Sequence, residues 1–472
     1  MNDKVINFIK NFSYTISSNL ISLIISTVVV LIVPKLIGIE DYGYWQLYLF
    51  YASYVGFLHF GWNDGIYLRY GGDEYTDLDK KLFFSQFYML ILTQIIIAIV
   101  LYTIAQISNL DSNRAYILQM TGICLLFTNV RHMLLLILQA TNRIREYAQV
   151  TMIGRLLYFL IIILFLLIGI RDFKLMIVAD LIGRVISLLL AMYFCKDIVF
   201  RKISSFYFSF KEMFENINVG IKLMFANIAG MLIIGVVRFG IERSWDVETF
   251  GKVSLTLSAS NLMLLFINAV GIIMFPILRR TEKNKLPGIY FVMRDFLMVL
   301  LLGLLVGYYP MKTLLSVWLP KYSESLMYMA LVFPVFIYEG KMALLINTYL
   351  KTLRQEKLML KINLISVSLS LLFTTLTTNV FRNLDMAILS IVVLLVIRSI
   401  LAEFSLAKIL NISLLRDILL ELSMTIVFIL SGWYINSWIT VFIYGAAYIF
   451  YLIIKKKDLS ETISSLKMLV KN

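Results

Sequence analysis

Residues 83–106 read FFSQFYMLILTQIIIAIVLYTIAQ and contain no charged side chain. At about 1.5 Å per residue, a helix of this length crosses the roughly 30 Å hydrocarbon core of a bilayer. Lipid offers no partner to open backbone groups, and a membrane strand needs only about 10 residues of alternating polarity. The stretch therefore predicts a membrane-spanning α-helix.

The same pattern recurs along the whole chain. About fourteen apolar runs of this kind, separated by charged loops, are predicted to span a membrane. They cover residues 13–33, 43–62, 83–106, 116–138, 149–170, 174–195, 219–239, 253–277, 289–308, 325–347, 361–379, 385–407, 416–435 and 437–454. The predicted fold is an all-α polytopic membrane protein.

The charge of the chain is spread over short loops. Of the 472 residues 60% are hydrophobic, and 43 Lys and Arg against 29 Asp and Glu give a net charge of +14. Lys and Arg are more frequent in the loops on the side of the N-terminus, which predicts that both termini of this multi-pass protein are cytoplasmic. Lys455, Lys456 and Lys457 add to that side. Cations distributed in this way predict contact with anionic membrane lipids, not with nucleic acid.

The sequence lacks the usual motifs of enzymes. His59 and His132 are its only histidines, Cys124 and Cys195 are its only cysteines, and HExxH, GxSxG and P-loop patterns are absent. The loops between the predicted spans are too short for a soluble catalytic domain. We expect no enzyme, no catalytic residues, no metal site and no cofactor other than a coupling H⁺ or Na⁺.

A weak internal repeat divides the chain. Asn19 and Asn227 lie 208 positions apart, and Tyr42 has the same separation from Phe250. Six predicted spans separate the copies, so both have the same orientation in the membrane, although chance agreement between Leu-rich segments is an alternative. The predicted domains are an N-terminal six-helix lobe at 1–200, a C-terminal six-helix lobe at 201–410, and two additional transmembrane helices with a cytoplasmic tail at 411–472.

Several short motifs lie around the second predicted span, and one lies late in the eighth. They are Pro34-Lys35-Leu36-Ile37-Gly38, Glu40-Asp41-Tyr42-Gly43-Tyr44-Trp45-Gln46-Leu47, His59-Phe60-Gly61-Trp62-Asn63-Asp64-Gly65, Arg69-Tyr70-Gly71-Gly72 and Phe275-Pro276. In these motifs the chain resembles the polysaccharide flippases of the Wzx type. Those proteins share a superfamily with multidrug and toxin extruders and with peptidoglycan-precursor flippases.

The resemblance implies two pseudo-symmetric lobes around a central cavity. It also implies alternating-access movement of an undecaprenyl-pyrophosphate-linked oligosaccharide across the bacterial plasma (inner) membrane, for O-antigen or capsule synthesis. The expected partners are this lipid-linked oligosaccharide and the polysaccharide polymerase machinery. Two alternatives share the scaffold: a flippase of the peptidoglycan lipid precursor, and a multidrug or organic-cation antiporter.

Cations inside the predicted spans are candidates for binding an anionic substrate. A charge at the bilayer centre costs at least about 2.5–3.5 kcal/mol, so such residues usually face a cavity or each other. The candidates are Lys341, Lys222, Arg131 and Arg398. The first three have no carboxylate three or four residues away, which favours a role in holding the pyrophosphate. Snorkelling to the cytoplasmic interface is the alternative for Lys222 and Arg131.

Ion coupling would need a buried acid that can change its protonation. Glu339, two residues before Lys341, and Asp180 are the candidates. Asp180 has Arg184 one turn later, which predicts an ion pair and leaves a purely structural role as the alternative.

A gate is predicted where the second span ends. Trp62, Asn63, Asp64 and Arg69 follow that span at the expected cytoplasmic mouth of the cavity. The glycines in the same segment indicate a flexible or closely packed turn. We expect these four residues to form a cytoplasmic gate.

Overall fold

The computed structural model describes residues 3–280, 285–435 and 437–461, with side chains described at residue 14 and in 20–264, 285–435 and 437–461. Every element in these ranges is helical and none is a strand, which confirms the all-α prediction. The side chains of Asn19, Phe275 and Pro276, and the tail at 462–472, lie outside the described residues.

The chain forms two compact units, Met1–Ile228 and Ala229–Asn472, and the boundary falls within one long helix. The division into 1–200, 201–410 and 411–472 stays a prediction. The helices of the first unit are α1 (Asp3–Leu36), α2 (Ile39–Tyr54), α3 (Trp62–Arg69), α4 (Lys80–Ile107), α5 (Ser112–Ala140), α6 (Ile144–Leu167), α7 (Phe173–Phe194), α8 (Lys196–Val199) and the first part of α9 (Phe210–Ser244).

The second unit contains the end of α9 and ten further helices. They are α10 (Val247–Arg280), α11 (Leu286–Leu304), α12 (Tyr308–Trp318), α13 (Met329–Val332), α14 (Val335–Lys341), α15 (Asn347–Thr352), α16 (Glu356–Thr375), α17 (Leu384–Leu410), α18 (Leu415–Leu430) and α19 (Ile439–Ile454).

Each of the predicted spans coincides with a helix or with a run of short helices. Within the described residues, ten helical segments are long and apolar enough to cross a membrane, and two shorter apolar helices occur at Leu20–Leu36 and Ile439–Ile454. The multi-pass architecture is therefore confirmed, while the number fourteen is approximate.

Side-chain caps fix where several of these helices begin. Asp79, Asp111, Asp172 and Asn383 each accept a hydrogen bond from a backbone N–H group in the first turn of α4, α5, α7 and α17, respectively. Such a cap satisfies a backbone group that the helix itself leaves open.

One predicted span forms the core of the second unit. In the segment Ser325–Thr352, 89% of the most apolar stretch is buried, against 22% in Lys80–Ile107. The segment is not one straight helix: α13 and α14 are followed by a π-helical turn at Met342–Ile346 and then by α15. Lys341 is the last residue of α14, and its side chain is buried inside the second unit.

The short helix α3 packs unusually closely on the start of α9. A Cβ added to Gly65 would lie 1.8 Å from the carbonyl oxygen of Asn216, and one added to Gly220 would lie 2.0 Å from the carbonyl oxygen of Gly61. Gly61 also has a φ of +83°, which disfavours any other residue. Three glycines therefore allow backbone to touch backbone here.

We expect Gly65→Ala to destabilise the protein, because its methyl group would overlap the backbone of α9. Overpacking typically costs about 1–3 kcal/mol, and contact with backbone places this variant at the upper end. Thermal unfolding in detergent measures the change. The matched control is Gly56→Ala, whose added Cβ would meet nothing within 4 Å; equal melting temperatures for the two variants would contradict the packing argument.

Candidate functional site

Lys341 lies in a buried group of four charges in the second unit. Its Nζ contacts carboxylate oxygens of Glu403 and of Glu421, the latter at 2.8 Å. Arg294 also bridges both acids, with Nε 2.6 Å from Glu403 and Nη2 3.1 Å from Glu421. All four side chains are buried. Lys341, which has no carboxylate three or four residues away along its helix, is therefore paired with two acids of other helices, and its role in binding substrate stays a prediction.

These ion pairs form between helices that are far apart in the sequence. The partners of Lys341 come from α17 and α18, so no search at helical spacing along α14 can find them. Glu421 was missed, although it and Asp417 are carboxylates inside the apolar run 416–435, which is itself a signal. Two cations and two carboxylates balance within the group, which removes the large cost of burying any one of them alone.

Arg398 and Glu339, predicted respectively to bind substrate and to couple an ion, contact each other. Arg398 Nη1 lies 3.1 Å from Glu339 Oε1, and its Nε donates to Asn363 Oδ1 at 3.0 Å. Arg398 is buried, whereas 27% of the Glu339 side chain is exposed. The pair is neutral as it stands, and both predicted roles stay predictions.

The predicted ion pair of Asp180 and Arg184 is confirmed in the first unit. Arg184 Nε lies 2.7 Å from Asp180 Oδ2, which also accepts a hydrogen bond from the hydroxyl of Tyr48 at 2.6 Å. Asp180 is thus held by α2 and α7 together. Its predicted role in ion coupling stays a prediction.

Arg131 and Lys222 differ from the paired cations. Arg131 Nη1 donates to Ser187 Oγ at 3.0 Å, while its buried Nε has no hydrogen-bond partner among the described residues. Lys222 is exposed on α9 and makes no ion pair with a described residue. Neither cation is neutralised by an acid in direct contact within the described part of the chain.

Two of the predicted gate residues are buried packing residues. Trp62 Nε1 donates to Gln86 Oε1 at 2.7 Å, and Asn63 Nδ2 donates to the carbonyl oxygen of Asn129 at 3.0 Å. Asp64 is half-buried, with Oδ2 3.7 Å from His59 Nε2. Its burial raises the pKa of the Asp64 carboxyl to about 6.

Arg69 ties α3 to the start of α9. Its guanidinium group contacts Glu212 at 2.5 Å, Glu215 at 2.8 Å and Asn216 Oδ1 at 2.7 Å. The hydroxyl of Tyr70 donates to Glu212 at 2.7 Å. The predicted gate residues thus lie on a helix that is fastened to α9 by polar contacts and by the glycine contacts described above.

A family model matches the sequence over half of the chain, and solved structures match its fold over nearly all of it. A family model described as "Polysaccharide biosynthesis protein" matches residues 8–244. The structure of a lipid II flippase, MurJ, in an inward closed conformation is similar with a TM-score of 0.65 and 15% identity, over 96% of this chain and 99% of that one.

A second solved structure is an inward-facing multidrug resistance MATE family transporter of the MOP superfamily. It is similar with a TM-score of 0.63 and 12% identity, over 83% of this chain and 98% of that one. No curated protein sequence matches the chain. At these identities the structures show the fold alone: an integral, multi-pass membrane protein with a transporter fold.

We expect Lys341→Ala to be strongly destabilising, because it leaves two buried carboxylates with one cation between them. Breaking a buried ion pair costs about 3–5 kcal/mol. Adding Glu421→Gln restores neutrality, so the double variant should be more stable than Lys341→Ala. Unfolding in detergent measures all three proteins. The control is Lys351→Ala, on an exposed residue of α15; a Lys341→Ala protein as stable as this control would contradict the role of the network.

Asp64 should make stability depend on pH. An unfolded Asp titrates near pH 4 and the folded one at about 6, so in this window the folded protein binds more protons. Stability therefore falls as the pH rises from about 4 to about 7, by up to about 3 kcal/mol, and Asp64→Asn should lack this loss.

The measurement is the difference in melting temperature between wild type and Asp64→Asn across that pH range. As the pH rises, the melting temperature of Asp64→Asn should increase relative to that of the wild type. Asp73→Asn, which removes an exposed carboxylate, is the control for the loss of one negative charge. A difference that stays constant with pH for Asp64→Asn would rule out the shifted carboxyl.

Proposed function

The chain belongs to the polysaccharide biosynthesis protein family, and we propose that it is a flippase of an undecaprenyl-pyrophosphate-linked oligosaccharide. It would move this repeat unit from the inner to the outer leaflet of a bacterial plasma membrane by alternating access. The product would serve a surface polysaccharide such as O-antigen or capsule.

The family match is the observation that carries this proposal. It covers residues 8–244, and this range includes the motifs around α2 and α3 in which the chain resembles polysaccharide flippases. The transporter fold supports movement of a substrate across the membrane and offers no support for an enzyme. Fold alone does not choose between cargoes, since related folds carry drugs and lipid II.

The contacts of the four candidate cations rank them as ligands of a diphosphate. Arg131 and Lys222 have no acid in direct contact among the described residues, so they have charge to offer an anion. Lys341 and Arg398 are already paired with carboxylates, and a substrate would have to displace these. We propose Arg131 and Lys222 first, with Lys341 and Arg398 as residues that could join only if their ion pairs open.

Membrane placement and energy coupling complete the proposal. Both termini would be cytoplasmic, as the charge of the loops predicts. Glu339 is the better candidate for exchange of H⁺ or Na⁺, because it is partly exposed and pairs with Arg398 alone among the described residues, whereas Asp180 is bound to both Arg184 and Tyr48. The test is the transport rate of Glu339→Gln at different pH values and sodium concentrations. If the rate depends on pH and sodium as it does in the wild type, Glu339 is not the coupling residue.

Deletion of the gene in its native host tests the proposed cargo. We expect undecaprenyl-pyrophosphate-linked oligosaccharide to accumulate on the cytoplasmic leaflet and a surface glycan to be lost, both reversed by the wild-type gene. Lipid extraction with mass spectrometry, together with glycan labelling of intact cells, measures the two effects.

Other results would favour a rival function. Accumulation of the peptidoglycan precursor with arrest of growth would indicate a flippase of that lipid. Sensitivity to cationic drugs without any glycolipid accumulation would indicate a drug exporter, and the proposed cargo would then be wrong.

A further inference from the structure

The segment that links α8 to α9 exposes large apolar side chains although it lies outside the predicted spans. It reads FRKISSFYFSF at residues 200–210, between predicted spans that end at residue 195 and begin at residue 219. Its exposed apolar side chains, together with one from the second turn of α9, form what we call the linker surface: Phe200, Ile203, Phe208, Phe210 and Phe214. Contiguous exposed apolar surface of this kind marks contact with a membrane or with a partner.

The polarity of this segment is inverted. Ser209 is 8% exposed, whereas the neighbouring Phe208 is 61% exposed. Gln86 Nε2 of α4 donates to the carbonyl oxygen of Ser209 at 3.0 Å and to its Oγ at 2.6 Å. The backbone N–H of Tyr207 donates to Ser85 Oγ at 3.2 Å. The segment therefore turns polar groups toward the protein and aromatic rings outward, which is the reverse of a loop surrounded by water.

The outward rings are held in place by one another. The ring centroids of Phe206 and Phe208 lie 5.1 Å apart, and Phe208 stacks on Phe210 at 5.4 Å with 4° between the ring planes. Phe206 in turn packs against the hydrophobic core of the first unit. The linker surface is thus preformed on α4 and the core, so its exposure is a property of the fold.

The charge beside the linker surface is positive. Three exposed cations flank it and make no ion pair with an acid in the described part of the chain: Arg201, Lys202 and Lys211. The acids of the same stretch, residues 196–218, are engaged elsewhere. Asp197 contacts Lys80 at 3.8 Å, and Glu212 and Glu215 both contact Arg69. The positive charge therefore stays available to an anion.

A surface of anionic lipid fits both properties. Aromatic rings favour the interface of a bilayer, and Lys and Arg beside them attract anionic headgroups. Phe214 precedes the predicted seventh span by five residues, about 8 Å along the helix, which is close to the depth of the headgroup region. Phe210 lies one turn earlier on the same helix. The membrane that the protein spans is therefore within reach of this surface, and a protein partner would have to displace it.

We propose that the linker surface lies in the headgroup region of the membrane and binds anionic phospholipid. The phenylalanine rings would lie against the upper part of the acyl chains, while the three flanking cations bind the phosphates. The proposal assigns to one surface the contact with anionic lipids that the loop charges predict for the chain as a whole. It does not depend on the proposed cargo, since a transporter of any substrate can be anchored in this way.

Fluorescence quenching in liposomes tests the position of the surface. The full-length protein carries a bimane label on the cysteine of Phe208→Cys; Cys124 and Cys195 are buried, and the wild type treated in the same way gives the background. Phosphatidylcholine with a nitroxide on its acyl chain should quench this label, because the label lies in the membrane. The matched control is Asp73→Cys, on an exposed loop residue of the same predicted side, whose label should not be quenched.

Nitroxide-labelled phosphatidylglycerol tests the preference for an anionic headgroup. Each cation near an anionic surface adds about fivefold to the affinity, so this lipid should quench the label at a mole fraction at least about fivefold lower than labelled phosphatidylcholine. A triple variant that combines Arg201→Gln, Lys202→Gln and Lys211→Gln should be quenched alike by the two lipids. Its control combines Lys351→Gln, Lys357→Gln and Lys361→Gln, on exposed lysines of α15 and α16, and should keep the preference.

Two results would overturn the proposal. If neither lipid quenches the label at position 208, the linker surface lies outside the membrane and is covered by a protein. If both lipids quench it equally in the wild type, the surface does not select anionic headgroups. Neither result bears on the cargo, which the deletion strain tests separately.

Discussion

The constraint on which the whole structure depends is that a hydrocarbon environment offers no hydrogen bonds and almost no screening of charge. Backbone groups must be satisfied within each span, and this makes every long apolar run a helix. Charges must be satisfied between spans. The four-charge group around Lys341 meets this demand with residues from α11, α14, α17 and α18, so the ion pairs also fix how these four helices pack.

The two units differ in how the cations of their spans are neutralised. In the second unit the buried cations Arg294, Lys341 and Arg398 contact acids, and even Lys455, predicted to follow the last span on the cytoplasmic side, is buried against Asp295 at 2.7 Å and Asp417 at 2.9 Å. In the first unit Arg184 contacts Asp180, whereas Arg131 contacts no acid among the described residues. Because the same membrane constraint acts on both units, the charge of Arg131 is more costly to hold in its span than that of Arg184, which Asp180 offsets.

The sequence predicts what is local and misses what is tertiary. The length of each apolar run predicted the helices, and the spacing of four residues predicted the ion pair of Asp180 and Arg184. Both patterns can be read from one continuous stretch of chain. The partners of Lys341 could not be found this way, since Glu403 and Glu421 follow it by 62 and 80 positions. An unpaired cation in a span is therefore a reason to search the other spans for lone carboxylates.

The predicted gate illustrates the same limit. The glycines around Trp62 indicated either flexibility or close packing, and only the contact with α9 decides between them. Backbone in contact with backbone cannot slide without separating first, whereas the partly exposed Arg69 can exchange its carboxylates for water at small cost. Any gating motion of α3 is therefore expected to carry the start of α9 with it, with the glycine contact as the rigid joint.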